Sequence, residues 1–306
     1  MRIALPDLVS NSYFPAIAAV ELGFFKAEGL DMELELCFPV TKAMEALRDG
    51  EFDFVAGAAH AALVAFPQWQ GAKLLAAVAQ RTYWFLVVRA DLGVKRGDLS
   101  SVKGLRIGAA PGVDVALKRL LRQAGIDPER EVQIGPVPGA SAASVSFGVT
   151  AAQALADGLL DGFWANGMGA EVAVRRGVGT LVIDVRRGEG PRPGWRYTFP
   201  ALVTTERRLE REPESAAAAV RALVKAQAAL RADPDRATQI GQRLFPPMEA
   251  GLIAELIRRD VPYYDPAISR PTVNSLQRFA QDVGLQGQPV AYQQVVAMQC
   301  SRLWQQ

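Results

Sequence analysis

The sequence predicts an α/β protein of two similar Rossmann-like lobes. Each has a mixed, mostly parallel sheet; two crossover strands join them, and helices follow at the C-terminus. Three observations carry this. A strand–helix–strand–helix–strand order is written twice. The two copies share a turn signature, ALRDGEFDF from Ala46 and ALADGLLDG from Ala154, which lie 43 and 47 positions after Ile3 and Ile107 in the opening strands. Two extended apolar passages stand where the chain passes between the units. Consecutive parallel strands joined by helices form such sheets.

The elements follow in order. Arg2 to Leu5 read as a strand. After the polar Ser10-Asn11-Ser12, PAIAAVELGFFKAEGL has the apolar spacing of a helix, with Gly23 and Gly29 marking its end and the turn beyond. MELELCF alternates like a strand whose inward face is Met32, Leu34 and Leu36. Thr41 is placed to cap a helix that stops at Asp49-Gly50, and FDFVAG closes the first unit. In the second unit LRIGAA, VQIGPV and LLDGFWANG are strands. GVDVALKRLLRQAGI is a helix, and SVSFGVTAAQALADG is helical towards its end. LLAAVAQRTYWFLVVRADLGV, between the units, reads as two extended segments around Gln80-Arg81-Thr82. After the second unit a Gly/Pro-rich loop, Gly188 to Gly194, leads to the strand YTFPALVTT. From Glu212 the chain reads as helices that return to the first lobe. The expected lobes are residues 1–88 with 198–306, and residues 89–197.

Composition bounds the function. Of 306 residues 50% are apolar and 22% charged, enough to bury a large core and inconsistent with disorder. A net charge of +2 gives no electrostatic signature for nucleic acid or a membrane surface. Cys37 and Cys300 are too far apart in sequence to suggest a disulfide framework or a metal cluster. His60 is the single histidine, so a His-rich metal site is excluded. No cofactor motif appears: GAAPG is neither a dinucleotide fingerprint nor a phosphate-binding loop. The basic pairs Arg175-Arg176, Arg186-Arg187, Arg207-Arg208 and Arg258-Arg259 read as solvated surface. Pro6, Asp7, Ser10, Asn11, Ser12 and Pro15 interrupt any signal-peptide run, which leaves two readings open: a cytoplasmic protein, or a leader missing from this sequence.

The run YFPAIAAVELGFFKAEGLDMELELC resembles the N-terminal signature of type II periplasmic solute-binding proteins, nearest to their NMT1/THI5-like branch of nitrate, sulfonate, taurine and thiamine-pyrimidine receptors. AMEALRDGEFDFVAGAAHAAL, SVKGLRIGAAPG, GLLDGFWANGMGAEVAVRRG and YTFPALVTTERRLEREPE extend the resemblance. It implies a two-lobed clamp that is not an enzyme. The clamp would hold a small organic anion or heterocycle between its lobes and deliver it to an ABC permease from the periplasm, with a monomer as the default. Enzymes share the scaffold. The thiamine-pyrimidine synthases have a cysteine-rich motif absent from this chain, and a desulfinase needs a cysteine where this first loop has Ser10-Asn11-Ser12. A cytoplasmic ligand sensor is a third reading.

In open α/β sheets ligands sit at the carboxyl ends of strands and the N-termini of the following helices. Those positions give Asn11, Ser12, Tyr13, Thr41, Ala58 and His60 in the first lobe and Gly112, Asp114, Trp164 and Asn166 in the second. The crossovers add Arg81, Tyr83 and Tyr197. Each has a plainer role beside it. Asn11, Ser12, Thr41 and Asp114 are placed to cap helices, His60 to be a satisfied buried histidine, and Trp164 to sit in the core. Arg81 is the expected anion partner or else a hinge ion pair.

Overall fold

The structure is a computed structural model that describes residues 1–141, 144 and 146–305. The first sheet contains β1 (Arg2–Leu5), β2 (Glu33–Leu36), β3 (Phe54–Ala58), β4 (Ala72–Ala77) and β10 (Pro200–Thr205), in the order β2-β1-β3-β10-β4. The second contains β5 (Phe85–Arg89), β6 (Arg106–Ala109), β7 (Gln133–Gly135), β8 (Gly162–Ala165) and β9 (Gly179–Asp184), in the order β7-β6-β8-β5-β9. The two orders are one plan used twice: three parallel strands, a reversed strand, then the last strand. The reversed strand is in each case the one that has just crossed over: β5 pairs antiparallel with β8 and β9, and β10 pairs antiparallel with β3 and β4. Each crossover is therefore knitted into the sheet it enters.

Helices α1 (Phe14–Glu21) and α2 (Val40–Asp49) belong to the first unit; α3 (Asp114–Gln123), α4 (Phe147–Ala156) and α5 (Gly167–Arg175) belong to the second. Glycines end them as expected. Gly23, Gly50 and Gly125 take φ values of +73°, +84° and +76°, a region that favours residues without a Cβ. Val145, inside the segment read as helical, lies outside the described residues. Four capping expectations fail; Asp114 is itself the first residue of α3, which follows Val113 with no side-chain cap. Helix α2 begins at Val40 after Pro39, so Thr41 lies inside its first turn and does not cap it. Helix α1 follows Tyr13 with no side-chain cap, so neither Asn11 nor Ser12 caps it. In α1 Pro15 stands in the first turn and has no N–H to satisfy; in α2 the N-cap position is Pro39, whose side chain has no oxygen to cap with.

The tail also departs from expectation. It comprises α6 (Pro213–Ala232), α7 (Arg236–Leu244), α8 (Pro247–Asp260) and α9 (Arg270–Asp282), besides shorter turns. Helix α6 packs on α1 as predicted, but α8 packs on α5 beside the second sheet. Arg175 reaches Glu255 at 2.8 Å, Arg259 reaches Glu171 at 2.6 Å, and Arg119 reaches Asp282 at 2.8 Å. The tail thus spans both units. The basic pairs are not uniformly surface groups either: Arg186 is 2% exposed and ion-paired with Asp260 at 2.7 Å. Periodicity does not reveal such a charge, because its partner lies 74 residues away in sequence.

Candidate functional site

Residues that follow the carboxyl ends of β1, β2, β6 and β8, with Tyr83 and Trp84 of the crossover before β5, line an interlobe pocket. The space between its walls, open solvent at the mouth included, is about 410 Å³. Six aromatic rings line it: Tyr13, Phe38, Tyr83, Trp84, Phe147 and Trp164. Tyr13 and Tyr83 share a hydroxyl–hydroxyl hydrogen bond of 2.7 Å with their rings edge-on. Phe38 and Phe147 stack across the lobes, with centroids 5.7 Å apart and 19° between planes. Trp84 and Trp164 lie 5.9 Å apart.

Among the described residues Asp7 is the single charged one in this lining. It sits in the loop after β1 and is 4% exposed. Its Oδ1 accepts from the Val9 N–H at 3.0 Å. Its Oδ2 accepts from Asn166 Nδ2 at 2.8 Å, Ser146 Oγ at 3.1 Å and Gly148 N at 3.4 Å, all in the second unit. Burial pushes its pKa up to about 7, opposed by the hydrogen bonds from Ser146, Gly148, Val9 and Asn166. Sequence reading used Asp7 only as a break in the N-terminal apolar run. Its position two residues after a strand end is the signal by which it could have been found.

His60 makes the second bridge between lobes. Its Nε2 lies 2.7 Å from the Gly112 carbonyl and its Nδ1 lies 3.1 Å from Thr198 Oγ1. The carbonyl can only accept, so Nε2 donates and Nδ1 accepts. Burial pushes the His60 pKa down to about 4, against the Gly112 carbonyl and Asp114. A neutral imidazole with both nitrogens engaged is not a cationic partner for an anion. Gly112 has φ +81°, and a Cβ there would stand 2.6 Å from Thr41 Cγ2. Thr41 and Gly112 are therefore interlobe neighbours, outside the pocket lining. Asp114 accepts from Gly112 N at 3.1 Å and pairs with Lys118 at 2.6 Å, within its own turn and helix.

Of the other expected residues, Tyr13, Tyr83, Trp164 and Asn166 line the pocket. Asn11 does not. Its Oδ1 accepts from Met168 N at 2.9 Å and its Nδ2 donates to Asp260 at 2.7 Å, which ties the first loop to α5 and the tail. Ser12 and Ala58 are fully buried and also lie outside the lining. Arg81 and Tyr197 lie elsewhere. Arg81 takes φ +69°, stacks over Trp195 at 4.5 Å and donates to the Arg186 carbonyl at 3.1 Å. Tyr197 stacks on Phe279 with centroids 4.7 Å apart and donates to Gln123. Arg81 lies in the bend between β4 and β5 with a positive φ, which a linear reading of the crossover misses.

A family model described as NMT1/THI5 like matches residues 10–237, more than half of the chain. The chain belongs to the NMT1/THI5-like family. No curated protein matches it in sequence. Solved structures match this family member over nearly all its length. A protein from Bordetella bronchiseptica RB50 is 19% identical with a TM-score of 0.76, covering 98% of this chain and 95% of that one. The alkanesulfonate-binding protein SsuA from Xanthomonas axonopodis pv. citri, bound to MOPS, is 16% identical with a TM-score of 0.70, covering 98% and 96%. The desulfurization enzyme DSZB is 17% identical with a TM-score of 0.66, covering 99% and 98%. At these identities the likeness establishes the two-lobed fold. Among the described residues no helix is long and apolar enough to cross a membrane, and no cluster of three or more His, Cys, Asp or Glu is arranged to hold a metal.

Proposed function

We propose that this protein is a solute receptor that closes two lobes, residues 1–88 with 198–306 and residues 89–197, over a planar aromatic or heteroaromatic molecule. The observation that carries the reading is the pocket wall, with six aromatic rings and Asp7 as its only charged side chain among the described residues. Flat rings favour a flat ligand through offset or edge-on contacts. Asp7 Oδ1 receives only the Val9 N–H, so it retains acceptor capacity for a ligand N–H or cationic nitrogen. Tyr13, Tyr83, Trp164 and Asn166 would contact the ligand. His60, Thr41 and Gly112 would set the closed interlobe geometry. With no lysine, arginine or histidine on this wall among the described residues, a heterocycle fits better than a small inorganic anion.

Binding without turnover is supported by the cysteines. Burial pushes the Cys300 thiol up to about 11 and also raises that of Cys37, so neither is an activated nucleophile. The likeness to solved structures named as periplasmic sulfonate-binding proteins, one of them of an ABC transporter, supports delivery to an ABC permease and a periplasmic location. A thermal-shift panel tests the reading. Neutral and cationic heteroaromatics should raise the melting temperature by mass action, well beyond any rise from nitrate or aliphatic sulfonates. The reverse ranking contradicts it.

A further inference from the structure

Behind the aromatic pocket lies a wider cavity between β9, α5 and α8, of about 1350 Å³ with open solvent at the mouth included. Asn11, Asp184, Arg186, Arg259, Asp260 and Tyr263 are among its walls. Its carboxylates have partners: Asp260 holds Arg186 and Asn11, Asp184 accepts from Arg187 N at 3.3 Å, and Glu171 holds Arg175 and Arg259. Arg186 is the exception. Only its Nη1 is engaged, by Asp260. Its Nε and Nη2 are shielded from solvent and have no hydrogen-bond acceptor among the described residues. The guanidinium lies beside two rings, Tyr83 at 5.8 Å and Tyr263 at 5.3 Å, and rings supply no oxygen acceptor. Nε and Nη2 form one edge of the guanidinium, two parallel donors whose spacing matches two oxygens of one oxyanion.

We propose that this cavity is a second ligand site, distinct from the aromatic pocket, in which the Nε/Nη2 edge of Arg186 binds an oxyanion such as a carboxylate, sulfonate or sulfate group. The buried donors are reached when the lobes part or when the turn carrying Tyr263 yields. Closing over the anion then places the contact in dry surroundings, where a charge-assisted bond is strongest. Asp260 stabilises the charged guanidinium and also repels an incoming anion. The site is therefore tuned to moderate affinity.

Sodium sulfate is the probe, titrated against sodium chloride at matched ionic strength and followed by calorimetry and thermal shift. The wild-type protein should show saturable sulfate binding that chloride does not reproduce. Arg186→Lys keeps the charge beside Asp260 but removes the fork, and should weaken sulfate at least tenfold. Asp260→Asn keeps acceptor capacity for Arg186 while removing the competing charge, and should tighten sulfate at least threefold. Arg196→Gln, on a different surface depression, should leave sulfate binding unchanged. Sulfate no better than chloride, or equal affinity in wild type and Arg186→Lys, overturns the proposal. Should Arg186→Lys fail to fold, unchanged or weaker sulfate binding in Asp260→Asn overturns it.

Discussion

His60 Nε2 donates to the backbone carbonyl of Gly112 over 2.7 Å, joining the loop after β3 to the loop after β6. Burial keeps the imidazole neutral, with its pKa near 4, against the opposing effect of this bond. Asp7 bridges the same two lobes and is shifted the other way, to about 7. The two groups therefore act on stability with opposite sign over overlapping pH ranges. Below about 6.5 the unfolded chain protonates His60 and the folded one does not, so stability falls as pH drops towards 4. Between 3.8 and 7 the folded chain keeps a proton on Asp7 that the unfolded chain has lost, so stability falls as pH rises.

The wild-type pH–stability curve should be comparatively flat from pH 4 to 6.5, and each variant should expose the other group. Asp7→Asn should grow more stable as pH rises across that range; His60→Gln should grow less stable. Denaturant melts at half-unit pH steps measure both slopes. Parallel curves for the two variants would refute the assignment.

Gly112→Ala should lower stability by about 1–3 kcal/mol. Two costs contribute, the left-handed backbone at φ +81° and a new Cβ 2.6 Å from Thr41 Cγ2. Thr41→Ser removes that methyl group and should restore part of the loss, leaving the backbone cost. A double-mutant cycle on chemical melts reads the coupling. Zero coupling would mean the lobes are not pressed together here.

Phe38→Ala should preserve the fold and weaken an aromatic ligand about tenfold, mainly through faster dissociation. Phe38 stacks on Phe147 across the lobes, so it holds the pocket shut more than it builds either core. Stopped-flow fluorescence separates the two rates. A purely slower association would contradict this role.

Glu171→Gln should loosen the tail. Glu171 holds both Arg175 and Arg259, and Arg259 lies on α8. Partly exposed ion pairs contribute about 1 kcal/mol or less, so global stability should shift little. Hydrogen exchange in α8 should nevertheless rise several-fold, with exchange in α6 unchanged. Equal protection in both proteins would refute the bridge.

Much of the fold was legible because it is local. Ile3, Ile107 and the two DG turns fix the repeat, and Gly23, Gly50 and Gly125 end their helices as a residue free of Cβ does. Tyr13, Trp164 and Asn166 were legible as strand-end residues and Tyr83 as a crossover residue. The rest of the site was not, because it depends on distant partners. Asp7 is significant through Ser146, Gly148 and Asn166. Arg186 looks like half of a surface pair until Asp260 closes over it. Thr41 reads as a cap until Pro39 is seen to start the helix without one. Arg81 was expected at the cleft, but it lies in the bend between β4 and β5 with a positive φ and stacks over Trp195.

The most direct test of the receptor reading is a calorimetric titration with the best heteroaromatic hit, followed by mass spectrometry of the recovered ligand. The account predicts one ligand per aromatic pocket, recovered chemically unchanged, with affinity lowered about tenfold by Phe38→Ala. A ligand consumed during the titration, or affinity untouched by that substitution, would contradict it.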